Sequence, residues 1–272
     1  MSKMRLLTKG LAYLEIHSEN GRREEASWVV RVLSGSIVFL FLCAIFYFSF
    51  QRVTYHWGWG AVYQYRQKFI DGWFMTIWIS FASLIASTIL GLLFALGQRA
   101  TFLPLRYFSR IYVEVVRGTP LLVQILIFFY VVAEAFGVSN RYVVGILTLS
   151  FFSGAYISEM IRSGIESVSK SQLDSAKAIG LTRLQTYRYV IFPQALRQTL
   201  PPLAGQCASL IKDSSLLSII SISEFTLNAR EVNSYTYSTL ESYLPLAVGY
   251  LLLTLPISAW ARFLEKKYGY ET

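Results

Sequence analysis

The stretch SQLDSAKAIGLTRLQTYRYVIFPQALRQTLPP, residues 171–202, decides how the rest of the chain is interpreted. It is polar and basic, has the residue pattern of short helices and is interrupted by a glycine. Apolar segments about as long as a bilayer core is thick lie on both sides of it. We therefore expect residues 163–199 to form a structured insertion between two membrane spans, where a soluble protein can contact it. We call this insertion the docking loop.

The docking loop is predicted to contain two short helices. Residues 172–178 suit the first helix, because Ser171 can cap its start and the helix dipole favours Asp174 in its first turn. Gly180 lies where a glycine is expected just past a helix end. A second short helix is expected to follow and to be limited by Pro193, because proline lacks a backbone donor.

The remainder of the chain is strongly apolar, since 54% of the 272 residues are hydrophobic and 16% are aromatic. A helix rises about 1.5 Å per residue, so about 20 apolar residues cross a bilayer core of about 30 Å. The segments that meet this length are 32–50, 73–97, 111–136, 142–161, 200–222 and 243–262. The sequence therefore predicts an all-α membrane protein with six transmembrane helices.

These segments also suggest how the chain is organised. The first apolar run follows a basic stretch but ends without a small-residue cleavage pattern, so we expect an uncleaved anchor and not a signal peptide. The expected parts are a cytoplasmic N-terminal segment (1–31), an additional N-terminal helix (32–50), a loop on the outer side (51–71) and a five-helix core (72–267).

The positions of the 25 Lys and Arg residues predict the orientation. If the N-terminus is cytoplasmic, nineteen of them lie on the cytoplasmic side and five on the outer side, with Lys212 inside a span. The positive-inside rule then places both termini in the cytoplasm. We interpret the net charge of +9 as a topology signal, with membrane lipid as the partner of these charges and no binding to nucleic acid.

The sequence contains no pattern that would supply chemistry of its own. Cys43 and Cys207 lie in separate spans, and His17 and His56 are isolated, so neither a disulfide framework nor a metal site is suggested. We find no Walker A motif, no HExxH motif and no nucleophile elbow. We therefore expect no enzyme activity and no cofactor in this chain, and an energy source outside it.

Charged residues within the fifth apolar segment are the sharpest clue to function. Lys212 and Asp213 would each cost roughly 2.5 to 3.5 kcal/mol if exposed to lipid at the centre of a span. Asp213, Ser214 and Ser215 are typical of a broken helix, in which the hydroxyls satisfy freed backbone groups. The three residues either line a translocation pathway or gate, or belong to a purely structural network between helices. Gln124 is a weaker pathway candidate.

Two further patterns concern contacts between helices. Small residues recur every fourth position in two spans, which lets helix backbones approach closely, although small residues are also common in membrane helices. They are Ser83, Ser87, Gly91 and Ala95 in the second span, and Ser150, Gly154 and Ser158 in the fourth. Ion pairs at helical spacing are expected between Glu114 and Arg117, before a bend at residues 118–120, and between Glu159 and Arg162.

The docking loop resembles a known family. Asp174, Ser175 and Ala176, with Gly180 and the Ile-Phe-Pro that ends at Pro193, resemble the EAA signature of bacterial ABC importer permeases. That signature is Glu-Ala-Ala, a glycine four residues after the second alanine, and a later Ile-x-Leu-Pro. The spacing is the same, and aspartate keeps the acid.

Other segments resemble the permeases for polar amino acids in the same order. They are YVEVVRGTPLLVQ (112–124), YISEMIRSGIESVS (156–169) and LIKDSSLLSIISISEF (210–225), and the resemblance extends over residues 70–267. It implies the type I ABC importer permease fold in the bacterial inner membrane, with the first outer loop periplasmic. It also implies a polar amino acid as substrate.

The resemblance further implies the partners. They would be a cytoplasmic ABC ATPase dimer that uses ATP, a second permease subunit that is identical or paralogous, and a periplasmic solute-binding protein. The docking loop would enter a cleft of the ATPase, with Asp174 meeting a basic or amide group and Ala176 and Ala178 allowing close approach. An ion-coupled secondary transporter that uses Asp213 and Lys212 is the first alternative, and a membrane-embedded enzyme or sensor is the second.

Overall fold

The structure is a computed structural model that describes residues 28–51 and 55–268. Within these ranges all regular secondary structure is helical, as the sequence predicts. The chain divides into two compact units between Trp57 and Gly58. Most of the predicted cytoplasmic N-terminal segment, residues 1–27, lies outside the described residues.

The first unit contains one described helix, α1 (Trp28–Gln51). It begins four residues before the predicted additional helix and ends one residue after it. Apolar side chains such as Phe39, Leu40 and Phe41 are exposed on successive faces of this helix. A helix that is apolar on all sides is typical of a membrane span, and Trp28–Ser49 is long and apolar enough to be one.

The second unit is built from helices that follow one another with short connections. They are α2 (Trp59–Gln64), α3 (Arg66–Gln98), α4 (Leu103–Gly118), α5 (Leu121–Ile127), α6 (Arg141–Glu166), α7 (Lys170–Ala178), α8 (Arg183–Thr186), α9 (Phe192–Asp213), α10 (Phe225–Thr236) and α11 (Thr239–Tyr268). Short π-helices at Phe128–Val132 and Tyr187–Ile191 extend α5 and α8, and the first leads into a further turn, Ala133–Ala135. A 3-10 helix, Ser214–Ile220, follows α9.

The six predicted spans are not all confirmed. Among the described residues, four helices are long and apolar enough to cross a membrane, namely the span within α1 together with α3, α6 and α11. The predicted third span is a pair, Leu103–Gly118 and Leu121–Ala135, that is bent by 112°. The predicted fifth span differs because α9 contains Pro201, Pro202 and Lys212 and ends at Asp213, which makes it less apolar than a simple span.

The small-residue prediction is confirmed where α3 packs along α6. All of the small residues predicted on these two helices are buried. A methyl group added at Gly91 would lie 2.6 Å from Cγ2 of Ile157, so only glycine permits this approach. The hydroxyl of Ser150 also donates to the backbone oxygen of Ser83 across the same contact, at 3.5 Å. The backbones of the two helices therefore approach closely, as expected where lipid provides no hydrophobic drive for association.

The apolar core includes residues of this helix pair and packs around the break that follows α9. It is formed by Ile79, Leu121, Ile125, Leu149, Leu210, Leu217, Ile220 and Ile222. Because these residues come from α3, α5, α6, α9, the 3-10 helix and the connection just after it, the core joins the bent span to the segment that follows Asp213. The two irregular parts of the bundle are thus packed against each other.

Candidate functional site

The first docking helix, α7, begins two residues earlier than predicted. Its N-cap is Ser169, whose hydroxyl accepts a hydrogen bond from the backbone N–H of Gln172 at 3.4 Å, so the expectation that Ser171 caps the helix is wrong. The backbone of Ser169 is extended, as an N-cap requires. Asp174 consequently lies in the second turn and not the first, and its exposed carboxylate accepts from Nζ of Lys177 at 3.4 Å.

Gly180 ends α7 as the sequence predicts. Its φ is +81°, a left-handed value that favours glycine, and no atom lies within 4 Å of the space that a side chain would enter. The N–H of Gly180 donates to the oxygen of Lys177 at 2.9 Å, and the N–H of Leu181 donates to the oxygen of Ala176 at 3.0 Å. These two hydrogen bonds form a Schellman motif, in which the left-handed glycine closes the helix end.

Pro193 does not limit the second docking helix. Thr182 and Gln185 form a capping box that starts α8, and helical backbone then continues through Tyr187–Ile191 into α9. Pro193 lies just after the π-helix Tyr187–Ile191 within this continuous helical backbone, and such π adjustments let a helix accommodate the backbone donor that proline lacks. The docking loop is therefore connected to α9 without a flexible joint.

The docking loop has a groove between α7 and the segment that leads to α9. The groove has a volume of about 390 Å³, and its lining includes Ser175, Ala176, Ile179 and Tyr189. Ala176 is buried, with 3% of its surface exposed, so it packs inside the loop and does not form the outer contact surface that we expected of it. Ser175 is exposed beside it.

Apolar side chains on the docking loop were not anticipated from the sequence. Ile179 is 75% exposed and Leu184 is 79% exposed, although the loop around them is polar. Exposed apolar side chains can mark contacts with another protein. The sequence carried this signal as a large aliphatic residue directly before Gly180 and another two residues after Thr182.

A network of ions and hydrogen bonds lies where α6 leads into the docking loop. Glu159 accepts two hydrogen bonds of 2.9 Å from Arg162, which confirms the predicted pair. Arg117 also lies 3.1 Å from the Glu159 carboxylate, and Gln98 donates to it at 3.2 Å. The prediction that Arg117 pairs with Glu114 is wrong, because the Arg117 side chain crosses to the neighbouring helix. Glu159 therefore joins α3, α4 and α6 at the base of the docking loop.

The predicted bend follows Arg117 directly. α4 ends at Gly118 and α5 begins at Leu121. The buried amide nitrogen of Gln124 donates to the backbone oxygen of Val116 at 2.8 Å and of Thr119 at 3.2 Å. The break leaves these two carbonyl oxygens without hydrogen-bond donors from the helix. A membrane core contains no water to replace those donors, so the protein must supply them. The geometry thus gives Gln124 a role in holding the bend, and its pathway role stays a prediction.

The predicted break at Asp213 is present. α9 ends at Asp213, and the hydroxyls of Ser214 and Ser215 donate to the backbone oxygens of Ile211 and Lys212 at 2.7 and 2.6 Å. Asp213 is half-buried, and no ion pair or hydrogen bond to its carboxylate is found within residues 28–51 and 55–268. This part of the chain contains no inter-helix network around Asp213, so water, a solute or another subunit is left to solvate the carboxylate.

Comparison with known proteins identifies relatives of this chain. Residues 87–270 match the family model described as the binding-protein-dependent transport system inner membrane component. The glutamine transport system permease protein GlnP of Escherichia coli K12 is 34% identical over 211 residues, which are 77% of this chain and 96% of GlnP. The probable glutamine ABC transporter permease protein GlnM of Bacillus subtilis is 34% identical over 199 residues, 73% of this chain and 92% of GlnM.

A solved structure has the same fold. It is the crystal structure of an amino acid ABC transporter with histidines, which superimposes with a TM-score of 0.73 at 32% sequence identity. The match covers 78% of this chain and 100% of that chain.

Proposed function

The chain belongs to the family of binding-protein-dependent transport system inner membrane components, and we propose from this that it is the permease subunit that imports a polar amino acid in an ATP-driven transporter. The observation that carries the proposal is the docking loop. Its closed helix end at Gly180, its groove and the exposed Ile179 and Leu184 form a surface suited to a soluble partner. The names of the relatives support an amino acid as the substrate.

The proposed assembly has two permease subunits, identical or paralogous, driven by a cytoplasmic ABC ATPase dimer. ATP is used by the ATPases, and this chain needs no cofactor. A periplasmic solute-binding protein would deliver the amino acid. The location is the inner membrane of a bacterium, with both termini in the cytoplasm.

The geometry supports a route for the coupling. Closure of the ATPases on ATP would move the docking loop, and α9 would move with it because the backbone is helical throughout from Arg183 in the loop to the end of α9. Glu159 would transmit the same movement to Arg117 and the bend beside it. The two irregular segments, at the bend and at Asp213, would then change their exposure to either side of the membrane.

A secondary transporter coupled to an ion gradient is the second candidate. The half-buried Asp213 carboxylate favours it, because an acid at span depth that has no ion-pair or hydrogen-bond partner among the described residues can carry a proton or cation. Affinity purification of the full chain from its own membranes distinguishes the candidates. We expect an ATPase subunit to be recovered with the permease in roughly equal amounts, and recovery of the permease without any ATPase would favour the secondary transporter.

The orientation gives a separate prediction. Reporter fusions after Gly10, at Thr186 and after Lys267 should report the cytoplasm, and fusions at Tyr63 and Asn233 should report the outside. The reason is the nineteen-to-five asymmetry of basic residues. A reporter at Thr186 that is active only on the outer side would contradict the role of the docking loop.

Substitution of Asp213 tests the pathway. We expect Asp213→Leu to lower the rate of amino-acid uptake about tenfold or more while the protein reaches the membrane at its normal level, because the charge is functional and is expensive to keep at span depth. Asp213→Asn keeps the shape and should lower uptake as well. Asp71→Asn, at an exposed acid near the start of α3, is the control, with little change expected. Wild-type uptake by both Asp213 variants at equal expression would remove Asp213 from the pathway.

A further inference from the structure

Helix α4 has three distinct sides. At about 100° per residue, Phe108, Ile111 and Val115 fall within one sector of about 60°. These three apolar side chains are 62%, 58% and 57% exposed. Arg106 and Arg110 lie within about 40° of each other on a sector roughly 150° away. The helix is therefore amphipathic, with an uncovered apolar side and a basic side.

The third side attaches α4 to the bundle. Ser109 is buried against Gly97, where an added methyl group would lie 2.2 Å from the serine hydroxyl. The Tyr112 ring stacks on Phe94 with ring centroids 3.8 Å apart, and its hydroxyl donates to the backbone oxygen of Phe151 at 2.5 Å. These contacts fix the helix against α3 and α6, both of which are long and apolar enough to be spans.

The position and direction of α4 relative to the spans follow from these contacts. Gly97 is next to the last residue of α3, so α4 lies at the docking-loop end of the bundle. The axis of α4 is turned by 112° from the next segment of the bent span. We infer that this next segment, Leu121–Ala135, is the part of the bent span that crosses the membrane, so that α4 lies roughly in the membrane plane at the end of the bundle. The apolar side can then face acyl chains while the basic side faces headgroups.

The arginines on the basic side are available to a ligand. The Nε of Arg106 donates a 2.8 Å hydrogen bond to the backbone oxygen of Ala100. The two terminal guanidinium nitrogens take no part in this bond. Arg110 is exposed and lines a pocket that also includes the carboxylates of Glu114, Glu159 and Glu166, but no ion pair to Arg110 occurs in the described ranges. Two guanidinium groups in the headgroup layer match the charge of lipid phosphates.

We propose that α4 lies in the membrane interface at the docking-loop end and that Arg106 and Arg110 bind anionic phospholipid. The proposal requires the membrane location that the family provides, and it does not depend on the amino-acid substrate. The same helix ends at Arg117, which contacts Glu159 at the base of the docking loop. The lipid therefore supports the helix that connects the docking loop to the bend.

Lipid retention tests the basic side. The full chain is purified with its copurifying subunits in mild detergent, and phosphatidylglycerol is then added. Native mass spectrometry measures how much of this lipid the protein retains. A basic residue near an anionic surface contributes about fivefold, so the pair Arg106→Gln and Arg110→Gln should lower retention roughly 20-fold to 30-fold. Arg230→Gln, at an exposed arginine of α10, is the matched control and should leave retention unchanged. Equal retention by the double variant and the wild type would overturn the proposal.

Spin labels test the apolar side. After Cys43 and Cys207 are replaced by serine, a nitroxide at Phe108 or Ile111 in phosphatidylcholine and phosphatidylglycerol bilayers should collide with oxygen more than with a water-soluble nickel complex. Preferred collision with the nickel complex would place α4 in water and overturn the proposal. Strong spin–spin coupling between two copies at these positions would identify a second permease as the occupant and would also overturn it. Both readouts are independent of transport, so a failed amino-acid assignment would leave them unaffected.

Discussion

Gly180→Pro is expected to abolish substrate-stimulated ATP hydrolysis while the permease still enters the membrane. Gly180 has a φ of +81°, whereas proline is fixed near −65° and cannot adopt the conformation that closes α7. Proline also removes the hydrogen bond from the Gly180 N–H to Lys177. Even a non-proline side chain costs roughly 1 to 2 kcal/mol in this backbone conformation. The damage is confined to the docking loop, so the spans should insert normally.

The measurement is hydrolysis by the reconstituted permease, ATPase and binding protein, with and without substrate. Gly137→Pro is a matched control, because Gly137 also has a positive φ of +67°, an open surrounding and an N–H that donates to a backbone oxygen, that of Glu134. It follows the bent span at the end remote from the docking loop, so the ATPase should still be captured. Gly180→Asn should retain part of the stimulation, because asparagine tolerates left-handed backbone. Full stimulation in Gly180→Pro would show that this loop is not the coupling element.

Glu159→Gln is expected to lower amino-acid uptake about tenfold while ATPase capture stays near normal. The carboxylate accepts hydrogen bonds from Arg162 and contacts Arg117. A hydrogen bond to a charged group contributes about 1.5 to 3 kcal/mol, and less where water screens it. Screening applies here because 42% of the Arg117 side chain is exposed. The amide keeps the shape but weakens the link between the docking loop and the bend.

Exchanging the two charges tests whether Glu159→Gln lowers uptake by weakening the contact with Arg117 or by destabilising the fold. In the double variant Arg117→Glu with Glu159→Arg, the cross-helix pair has its charges reversed, so uptake should partly recover relative to either single variant. Glu166→Gln is the control, since Glu166 is more exposed and its contacts with Arg162 and Arg99 do not reach α4. Two results would exclude a role for Glu159 in passing movement from the docking loop to the bend. One is wild-type uptake by Glu159→Gln. The other is an equal loss of uptake in all of these variants together with a lowered thermal midpoint of unfolding.

Local chemistry explains what could be predicted from the sequence. Glycine was predicted past the end of α7 because few other residues tolerate left-handed backbone, and Gly180 has that conformation. The break at Asp213 was predicted from a charge followed by two hydroxyl residues inside an apolar run. Small residues at every fourth position predicted that one side of α3 and one side of α6 meet other helices, because the period of the helix places them on one side. That the two sides meet each other is known only from the structure.

The differences arise where tertiary contacts outweigh local spacing. Arg117 and Glu114 have the spacing of an intrahelical pair, but Glu159 offers Arg117 a carboxylate on another helix, and only the fold brings the two together. Pro193 was predicted to stop a helix, but it follows the π-helix Tyr187–Ile191, and the helical backbone continues past it. A hydropathy window over residues 111–136 averages the end of the amphipathic α4 with the apolar segment that follows it, so the window indicates one straight span. The bend itself was predicted, because Pro120 removes a backbone donor.

Uptake by proteoliposomes tests the central claim most directly. The purified permease is reconstituted with its ATPase, radiolabelled glutamine is supplied outside with the binding protein, and ATP is enclosed at the ATPase side. We predict uptake that requires both ATP and the binding protein, that continues when ionophores collapse all ion gradients, and that is lost in Gly180→Pro. Other polar amino acids are assayed in the same way to cover the substrate class. Uptake driven by an imposed ion gradient without ATP would contradict the account.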